Sequence, residues 1–488
     1  MKQGASSLSC LDRLAVGALV AGGRETVSGA ARLYDVTRKC VRAMRDGALR
    51  IQEEAERRGD CPSVVVDKAF VERFVVAAAL IGNCPFRGIV ELMEAVLPVS
   101  VSIGTVHGIC ARAIARAREL NSGETLESVK HAAIDEIFQN STPVFAGVDL
   151  ATLYTFLLCE QPDRSGTTWW CALEQCREQG FSPESVIGDG GLGLRKGMAE
   201  CFPDVPCDGD VFHALREVTL VLGHLEKKVL GAMGMVEELL ARREKVAGLK
   251  RNGFSRLLGK LRRREEELTR CHATLEAIYQ FMREDVLDFN ELAFGDRMEL
   301  FDWLLAEMEG VEGAYGRVAP LRKRLERRRD TLLAVFARTD GALKSLAGKH
   351  GVDMKDARMM VNVFNGHGCD LRVEIAVADA VEKYGLERMQ QFLDCLHDLL
   401  ASSFRASSPI ENRNSVLRTY FQQRREIGHG YLELLRFYLN HRIVDRSRVS
   451  GRKGKSPCEM LTGKKHAHWL DMLGFSLDKP AVALGKTA

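Results

Sequence analysis

Three carboxylates in this 488-residue chain have surroundings that suit metal-dependent chemistry. Asp149 lies between Val148 and Leu150 in an apolar β-rich run, where a buried charge is costly unless a cation binds it. Asp189 ends a short apolar strand and is followed by glycines, and ligands commonly bind beyond the carboxyl ends of strands. Glu411 opens an arginine-rich helix. Simpler interpretations also exist: Asp149 at a strand end that faces water, and Asp189 in an ordinary Asp-Gly turn.

Glu411 has a structural alternative of its own. Ser408, Pro409 and Glu411 have the spacing of a capping box with proline at the first helical position. In that arrangement the glutamate would bond to the Ser408 amide. The two roles use the same carboxylate in different ways, so they exclude each other.

The elements that must position these acids fall into four regions. Residues 1–125 have a helical, short-looped pattern, and residues 142–216 alternate between strands and helices. Residues 217–400 are helical again, with two leucine-rich stripes that predict an antiparallel hairpin. Residues 401–488 contain the Glu411 helix and a basic tail. The pattern predicts a mixed α/β core interrupted by a large all-α insertion.

The first region predicts two helix-turn-helix units. In the first, residues 11–21 form a helix, Ser28 caps a short helix, and Thr37 caps a basic one. In the second, helices begin at Asp67 and near Ile89, and Ser102 caps a third. A basic helix across a tight turn from an apolar one is typical of major-groove recognition. Plain helical hairpins with solvated arginines are the alternative.

Motifs in the second and fourth regions resemble those of a known group of enzymes. The motifs of the first block, residues 142–216, are the strand ending in Asp189-Gly190, Gly193-Leu194-Arg195-Lys196, Phe202-Pro203-Asp204, and the Asp-x-x-His pair Asp210 and His213. Those of the second block, residues 400–475, are Glu411-Asn412-Arg413-Asn414, Leu417-Arg418, Arg436–His441 with Arg442, Gly454-Lys455-Ser456-Pro457 and Leu461-Thr462-Gly463. Both blocks resemble bacterial insertion-sequence transposases and the related hAT and Mutator-like superfamilies.

The resemblance implies a ribonuclease-H-like core with an Asp-Asp-Glu catalytic triad. Asp149, Asp189 and Glu411 occupy the three acidic positions, and Asp210, His213 and Arg418 become supporting groups. The triad would hold two Mg²⁺ or Mn²⁺ ions, whose preference for carboxylate oxygen suits cleavage at phosphorus. Water would hydrolyse the strand, and the freed 3′-hydroxyl would then attack target DNA.

Charge predicts where DNA would bind. Residues 412–465 contain 13 Lys and Arg against 4 Asp and Glu, although the whole chain carries only +3. Such a surface neutralises phosphates without reading sequence. The residues predicted to contact DNA are Arg38, Lys39, Arg42, Thr105, His107, Arg112 and Arg116 in the first region, and Arg413, Arg424, Arg425, Arg448, Arg452, Lys453 and Lys455 in the last.

The leading hypothesis is a DNA transposase that binds the terminal inverted repeats of its element and target DNA, as a homodimer or larger assembly. A DNA-binding regulator that no longer cuts, and a nuclease for branched or hybrid nucleic acid, are the alternatives. The sequence contains no run of about 18 apolar residues and so predicts no membrane span. We therefore expect a cytoplasmic, nucleoid-associated protein. The 14 cysteines match no zinc spacing, so we expect buried free thiols.

Overall fold

The computed structural model describes residues 8–59, 66–97, 99–188, 190–245, 251–364, 370–424, 426–447, 449 and 451–476. The fold is mixed α and β, predominantly helical, with one five-stranded sheet. The chain divides into two compact units, Met1–Phe74 with Phe475–Ala488, and Val75–Gly474. Among the helices of the described ranges, none is long and apolar enough to cross a bilayer.

Local capping fixes the helices of the first unit, as the sequence predicts for the third of them. Asp12 and Ser9 form a capping box, and the Thr37 hydroxyl accepts a bond from the Cys40 amide. The second helix begins two residues earlier than predicted, because Thr26 and not Ser28 accepts the Gly29 amide. The helices are α1 (Cys10–Ala21), α2 (Val27–Leu33) and α3 (Arg38–Gly59).

Three further helices precede the sheet, and the predicted helix start at Asp67 and the predicted cap at Ser102 are confirmed. The Asp67 carboxylate accepts the Phe70 amide, and the Ser102 hydroxyl accepts the Thr105 amide. The helices are α4 (Lys68–Leu80), α5 (Phe86–Val96) and α6 (Ile103–Ser122).

The sheet has the order β3-β2-β1-β4-β5. Its strands are β1 (His131–Gln139), β2 (Thr142–Asp149), β3 (Thr155–Glu160), β4 (Ser185–Gly188) and β5 (Cys207–Gly209). The first three strands form an antiparallel meander, whereas β4 pairs parallel with β1 and β5 pairs parallel with β4. The sequence predicts β2 to β4, but its alternating region starts at residue 142 and so leaves out the central strand β1.

The two faces of the sheet differ in polarity. Helices α7 (Gly166–Glu178) and α8 (Leu192–Cys201) cover the apolar face, where Phe145 stacks on Trp169 with 3.6 Å between ring centroids. Ala132 and Ile134 of β1 belong to the same buried cluster. Helix α16 (Ser408–Gln423) packs against β1 and β2, and one of its side chains reaches Asp135 on the other face of β1.

An all-helical segment separates β5 from α16, as the sequence predicts. The long helices α9 and α10 pack against each other as the expected hairpin, and α12 also packs on β5. The helices are α9 (Val211–Lys245), α10 (Arg251–Phe281, continued by a π-helical turn Met282–Val286), α11 (Phe294–Val311), α12 (Val318–His350), α13 (Met354–Val361), α14 (Leu371–Tyr384) and α15 (Leu386–Ala401).

The C-terminal helices close the edge of the sheet at β3. The Asn440 side chain accepts the Thr155 amide and donates to the Thr155 carbonyl, so it satisfies backbone groups that an edge strand leaves unpaired. Asn440 belongs to α17 (Gly428–His441), which also packs against α6. Two short helices follow, α18 (Pro457–Thr462) and α19 (Trp469–Met472). The described cysteines are free thiols, several of them buried.

Candidate active site

Glu411 does not form the predicted capping box. Helix α16 starts at Ser408, the residue before it is Ser407, and no side chain caps the first turn. The Glu411 carboxylate instead lies 3.2 Å from Nε2 of His213. The structural alternative to a catalytic Glu411 is therefore wrong, because Ser408 is already inside the helix.

His213 joins Glu411 to a second, fully buried carboxylate. Its Nδ1 donates to Asp210, which also accepts the Ser407 hydroxyl, the Ser407 amide and the Phe212 amide. Burial would raise the pKa of Asp210, but the hydrogen bonds from His213 and Ser407 hold that pKa below its usual value. With four donors directed at it, Asp210 is a positioning group and has little capacity left for a metal.

The surroundings of the His213 ring favour its protonated form. Its hydrogen bond with Asp210 raises the pKa of His213, burial opposes this, and the charges of Asp210, Asp135 and Glu411 raise it further. An imidazolium donates from both nitrogens, which matches an acceptor on each side of the ring. The predicted supporting pair Asp210 and His213 therefore lies beside Glu411.

Asp135 is a member of this cluster that the sequence interpretation missed. It lies in the centre of β1, is largely buried, and accepts Nδ2 of Asn414 at 2.6 Å. Asn414 is three residues after Glu411, so both side chains project from the same side of α16. The Glu136 amide fixes the other Asp135 oxygen at 2.8 Å. The only sequence signal was a carboxylate flanked by Ile134 and Ile137.

The structure does not bring Asp149 to Glu411. Asp149 pairs with Ala132, whose side chain is in the apolar cluster, whereas Asp135 lies three positions further along β1. Because side chains alternate between faces, Asp149 and Asp135 lie on opposite faces of the sheet. The Asp149 carboxylate accepts the Thr152 amide and hydroxyl at 2.8 and 2.6 Å. Burial raises its pKa, and the bonds from Thr152 offset this only in part.

Asp189 itself lies outside the described residues. Its neighbour Gly188 ends β4 and is in register with Ile134, the residue before Asp135. The chain therefore leaves β4 beside the Asp135 position of β1. Arg418, the remaining predicted supporting residue, is exposed about two helical turns beyond Glu411 and borders a groove with Phe138.

The residues predicted to contact DNA divide into exposed and anchored side chains. Those exposed to solvent are Arg38, Lys39, Arg42, Thr105, His107, Arg112, Arg116, Lys453 and Lys455, although Arg116 also bonds to Glu119 and to the Met472 carbonyl. Arg425 and Arg448 lie outside the described residues. Arg424 is anchored: it donates to Asn83 and to the carbonyls of Ala79 in α4 and Cys84 in the α4–α5 turn, and it stacks on Tyr431 at 4.4 Å.

Arg413 and Arg452 border a groove of about 1140 Å³ beside the start of α16. Arg413 donates to the Leu153 carbonyl, and Arg452 donates to the carbonyls of Leu150 and Ala151. Burial, aided by the neighbouring Arg442, lowers the pKa of Arg413 to about 10. Arg442 and Arg446 line the same groove, and this convergence of arginines suits a polyanion.

The Asp135 and Glu411 carboxylates are the described groups of this cluster that could hold a divalent cation. Their hard oxygen donors suit Mg²⁺ better than a thiophilic metal. The buried Oδ1 of Asn414, next to Asp135, has no hydrogen-bond partner within the described structure. An unsatisfied oxygen beside a carboxylate is what a cation or its water would satisfy.

No protein-family model matches the chain, and no curated protein matches it significantly.

Proposed function

We propose that the protein is a metal-dependent DNA transposase of the Asp-Asp-Glu type. The observation that carries the proposal is a cluster of three side chains. His213 contacts Glu411, and the negative charge of Asp135 raises the pKa of His213. Acids from a central strand and from a late helix meet there, although 275 residues and an all-helical insertion separate them in the sequence.

The sheet supports a ribonuclease-H-like core. An antiparallel meander followed by two strands parallel to the first, in the order β3-β2-β1-β4-β5, agrees with the fold that the transposase resemblance implies. The central strand bears Asp135, and the adjacent parallel strand β4 leads into Asp189. Such adjacency at strand positions is how α/β sheets assemble polar sites.

We therefore propose Asp135, Asp189 and Glu411 as the catalytic triad, with Asp135 in place of Asp149. Asp149 bonds to Thr152 in the turn after β2, and this gives its burial an explanation without a metal. Asp135 lies beside the Asn414 oxygen, which has no hydrogen-bond partner among the described residues, and its charge raises the pKa of His213. It also shares its face of the sheet with the Glu411 helix.

Each supporting residue has a defined task in this proposal. Bound Mg²⁺ or Mn²⁺ would stabilise charge on the attacking and leaving oxygens at phosphorus. Asn414 holds the Asp135 carboxylate, Ser407 holds Asp210, and Asp210 in turn holds His213. His213 balances the acids while no cation is bound. The groove lined by Arg413, Arg442, Arg446 and Arg452 offers the DNA backbone a cationic path beside α16.

The test is cleavage of labelled DNA that carries the ends of the element, with Mg²⁺ or Mn²⁺. Wild-type protein should nick the ends, and Asp135→Asn, Asp189→Asn and Glu411→Gln should abolish nicking while the proteins stay folded by circular dichroism. The matched control Asp149→Asn, also a buried acid of the same sheet, should still cut. Tight DNA binding without nicking in either metal would instead support the regulator, and nicking of branched DNA regardless of sequence would support the structure-specific nuclease.

A further inference from the structure

Three metal-binding side chains from distant parts of the chain meet at the end of α17. Glu124 follows α6, His441 is the last residue of α17, and Cys458 lies in α18. Their nearest ligand atoms all lie within 4.8 Å of one another. Glu124 and Cys458 are 334 residues apart, so no sequence motif could predict the group. None of the three belongs to the Asp135, His213 and Glu411 cluster.

His441 presents a buried nitrogen that has no hydrogen-bond partner among the described residues. Its Nδ1 lies 2.9 Å from the Phe437 carbonyl, which can only accept, so Nδ1 carries the proton. Its Nε2 is completely enclosed and makes no hydrogen bond within the part of the chain that the structure describes, although Oε1 of Glu124 is 3.4 Å away. A lone pair that faces a carboxylate oxygen in a buried place is unfavourable unless a cation lies between them.

The two ligand distances that involve Glu124 are close to those of a tetrahedral zinc centre. With Zn–N and Zn–O bonds of about 2.0 Å and Zn–S of about 2.3 Å, tetrahedral N···O and S···O edges are about 3.3 and 3.5 Å. Glu124 Oε1 lies 3.4 Å from Nε2 of His441 and 3.8 Å from Sγ of Cys458. A set of one nitrogen, one sulfur and one oxygen suits zinc and not Mg²⁺.

Neighbouring groups hold these ligands in place. The Tyr154 hydroxyl donates a hydrogen bond to Oε2 of Glu124, which leaves Oε1 to bind the metal ion. The bond from Nδ1 to Phe437 fixes the tautomer and ring orientation of His441. Ser456 and Glu459 form a capping box at the start of α18 and so set the position of Cys458. Hydrogen bonds that orient the ligand side chains in this way are characteristic of metal sites in proteins.

We propose that Glu124, His441 and Cys458 bind one Zn²⁺ ion that fastens α18 and the end of α17 to the chain after α6. The Cys458 thiol loses its proton to solvent as the Zn–S bond forms, and a water molecule completes the tetrahedron. The site is separate from the proposed catalytic centre, and it does not depend on the transposase proposal.

Cobalt substitution tests this site directly. The full-length protein, stripped of metal with a chelator, is titrated with Co²⁺ and then with Zn²⁺. We expect a thiolate-to-cobalt charge-transfer band that saturates at one equivalent and disappears when Zn²⁺ displaces the cobalt. Zn²⁺ should also raise the thermal unfolding midpoint of the wild-type protein. Absence of a saturable band in folded protein would overturn the proposal and leave an imidazolium–glutamate pair in its place.

Variants assign the band to these ligands. Cys458→Ser should abolish it and weaken Zn²⁺ binding at least ~100-fold, and Tyr154→Phe should weaken binding roughly tenfold. Cys110→Ser, which removes another buried thiol, should keep the band. If Cys458→Ser fails to fold, Glu124→Gln replaces it, because the amide oxygen can still accept the Tyr154 hydroxyl while losing the charge. A band of unchanged strength in the folded Cys458→Ser or Glu124→Gln protein would contradict the assignment.

Discussion

The two faces of the β1–β2 pair use a buried aspartate in different ways. On the apolar face, Asp149 is bonded by the amide and hydroxyl of Thr152 and closes the turn toward β3. On the other face, Asp135 is held by Asn414 beside Glu411 and His213, and an amide oxygen there is left unsatisfied. Burial alone therefore does not identify a catalytic acid. The partners of the carboxylate, and the face on which it lies, distinguish the two roles.

The largest expected effect separates the two aspartates by activity. Asp135→Asn should reduce DNA nicking on the order of 10³-fold or more, because removal of a catalytic group disables the whole site. Asp149→Asn should leave nicking within about threefold and lower the free energy of unfolding by about 1–2 kcal/mol, since it weakens bonds to a charged acceptor. Single-turnover cleavage and urea unfolding measure the two quantities. Equal loss of nicking in both folded variants would remove the distinction.

Asp210 provides a test within the polar face. Asp210→Asn should lower the free energy of unfolding by about 3 kcal/mol at pH 6, because it leaves a buried histidinium without its counter-ion. The pKa of Asp210 is lowered in the folded state, so its contribution is lost as pH falls below about 4. The pKa of His213 is raised, so its contribution is complete below about pH 6.5 and is lost as pH rises through the folded value.

Urea unfolding of the wild type between pH 3 and pH 9 checks these signs. The difference between wild type and Asp210→Asn should be largest between about pH 4 and 6.5 and should shrink on both sides. His213→Gln should show no such pH-dependent difference from the double variant. A difference that grows as pH rises from 6 to 9 would show that the histidinium does not stabilise this face.

Two arginines, Arg418 in α16 and Arg424 directly after it, extend the comparison to the surface. Arg424→Ala should lower the free energy of unfolding by about 2 kcal/mol, because Asn83 and two carbonyls lose a charged donor. Arg418→Ala, at an exposed position within α16, should change the free energy of unfolding by less than about 0.5 kcal/mol and weaken DNA binding in a salt-dependent way. Urea unfolding and filter binding at two salt concentrations distinguish them. If the Arg424→Ala protein were as stable as the wild type but bound DNA more weakly, Arg424 would be a DNA-binding residue and not a structural one.

The smallest expected effect is a shift in the His213 titration. A divalent cation bound by Asp135 and Glu411 would offset the negative charge that raises the pKa of His213. Mg²⁺ should therefore lower this pKa in the wild type and in Asp149→Asn, but not in Asp135→Asn. Histidine NMR signals followed through a pH titration, with His213→Gln for assignment, give the result. An unchanged His213 pKa at saturating Mg²⁺ would place the cation elsewhere.

Local signals in the sequence predict much of the helical structure. Capping residues such as Thr37 and Ser102 act within three or four residues, so the helices that follow them begin where expected. The leucine stripes likewise predict the α9–α10 hairpin. The sequence pattern did not predict the central strand β1, because Asp135 and Glu136 interrupt its apolar pattern and because its pairing with β4 joins residues 54 apart.

The candidate site depends on contacts that no local pattern encodes. The family-like motif around Glu411 predicts its importance, but the same letters also predict a capping box. The start of α16 at Ser408, and the contact of Glu411 with His213 on the helix that follows β5, decide between them. In the same way, the sequence alone predicts that Arg424 belongs to a basic surface, whereas its contacts with Asn83 and Tyr431 show that it is anchored within the fold.

Binding of Mn²⁺ tests the central claim most directly, because it needs neither DNA nor turnover. Free Mn²⁺ is measured by electron paramagnetic resonance in titrations of the wild-type protein, Asp135→Asn, Glu411→Gln and Asp149→Asn. We predict at least tenfold weaker binding for Asp135→Asn and Glu411→Gln, and wild-type affinity for Asp149→Asn. Weakened binding in Asp149→Asn together with wild-type binding in Asp135→Asn would contradict the assignment of the site to the polar face of β1.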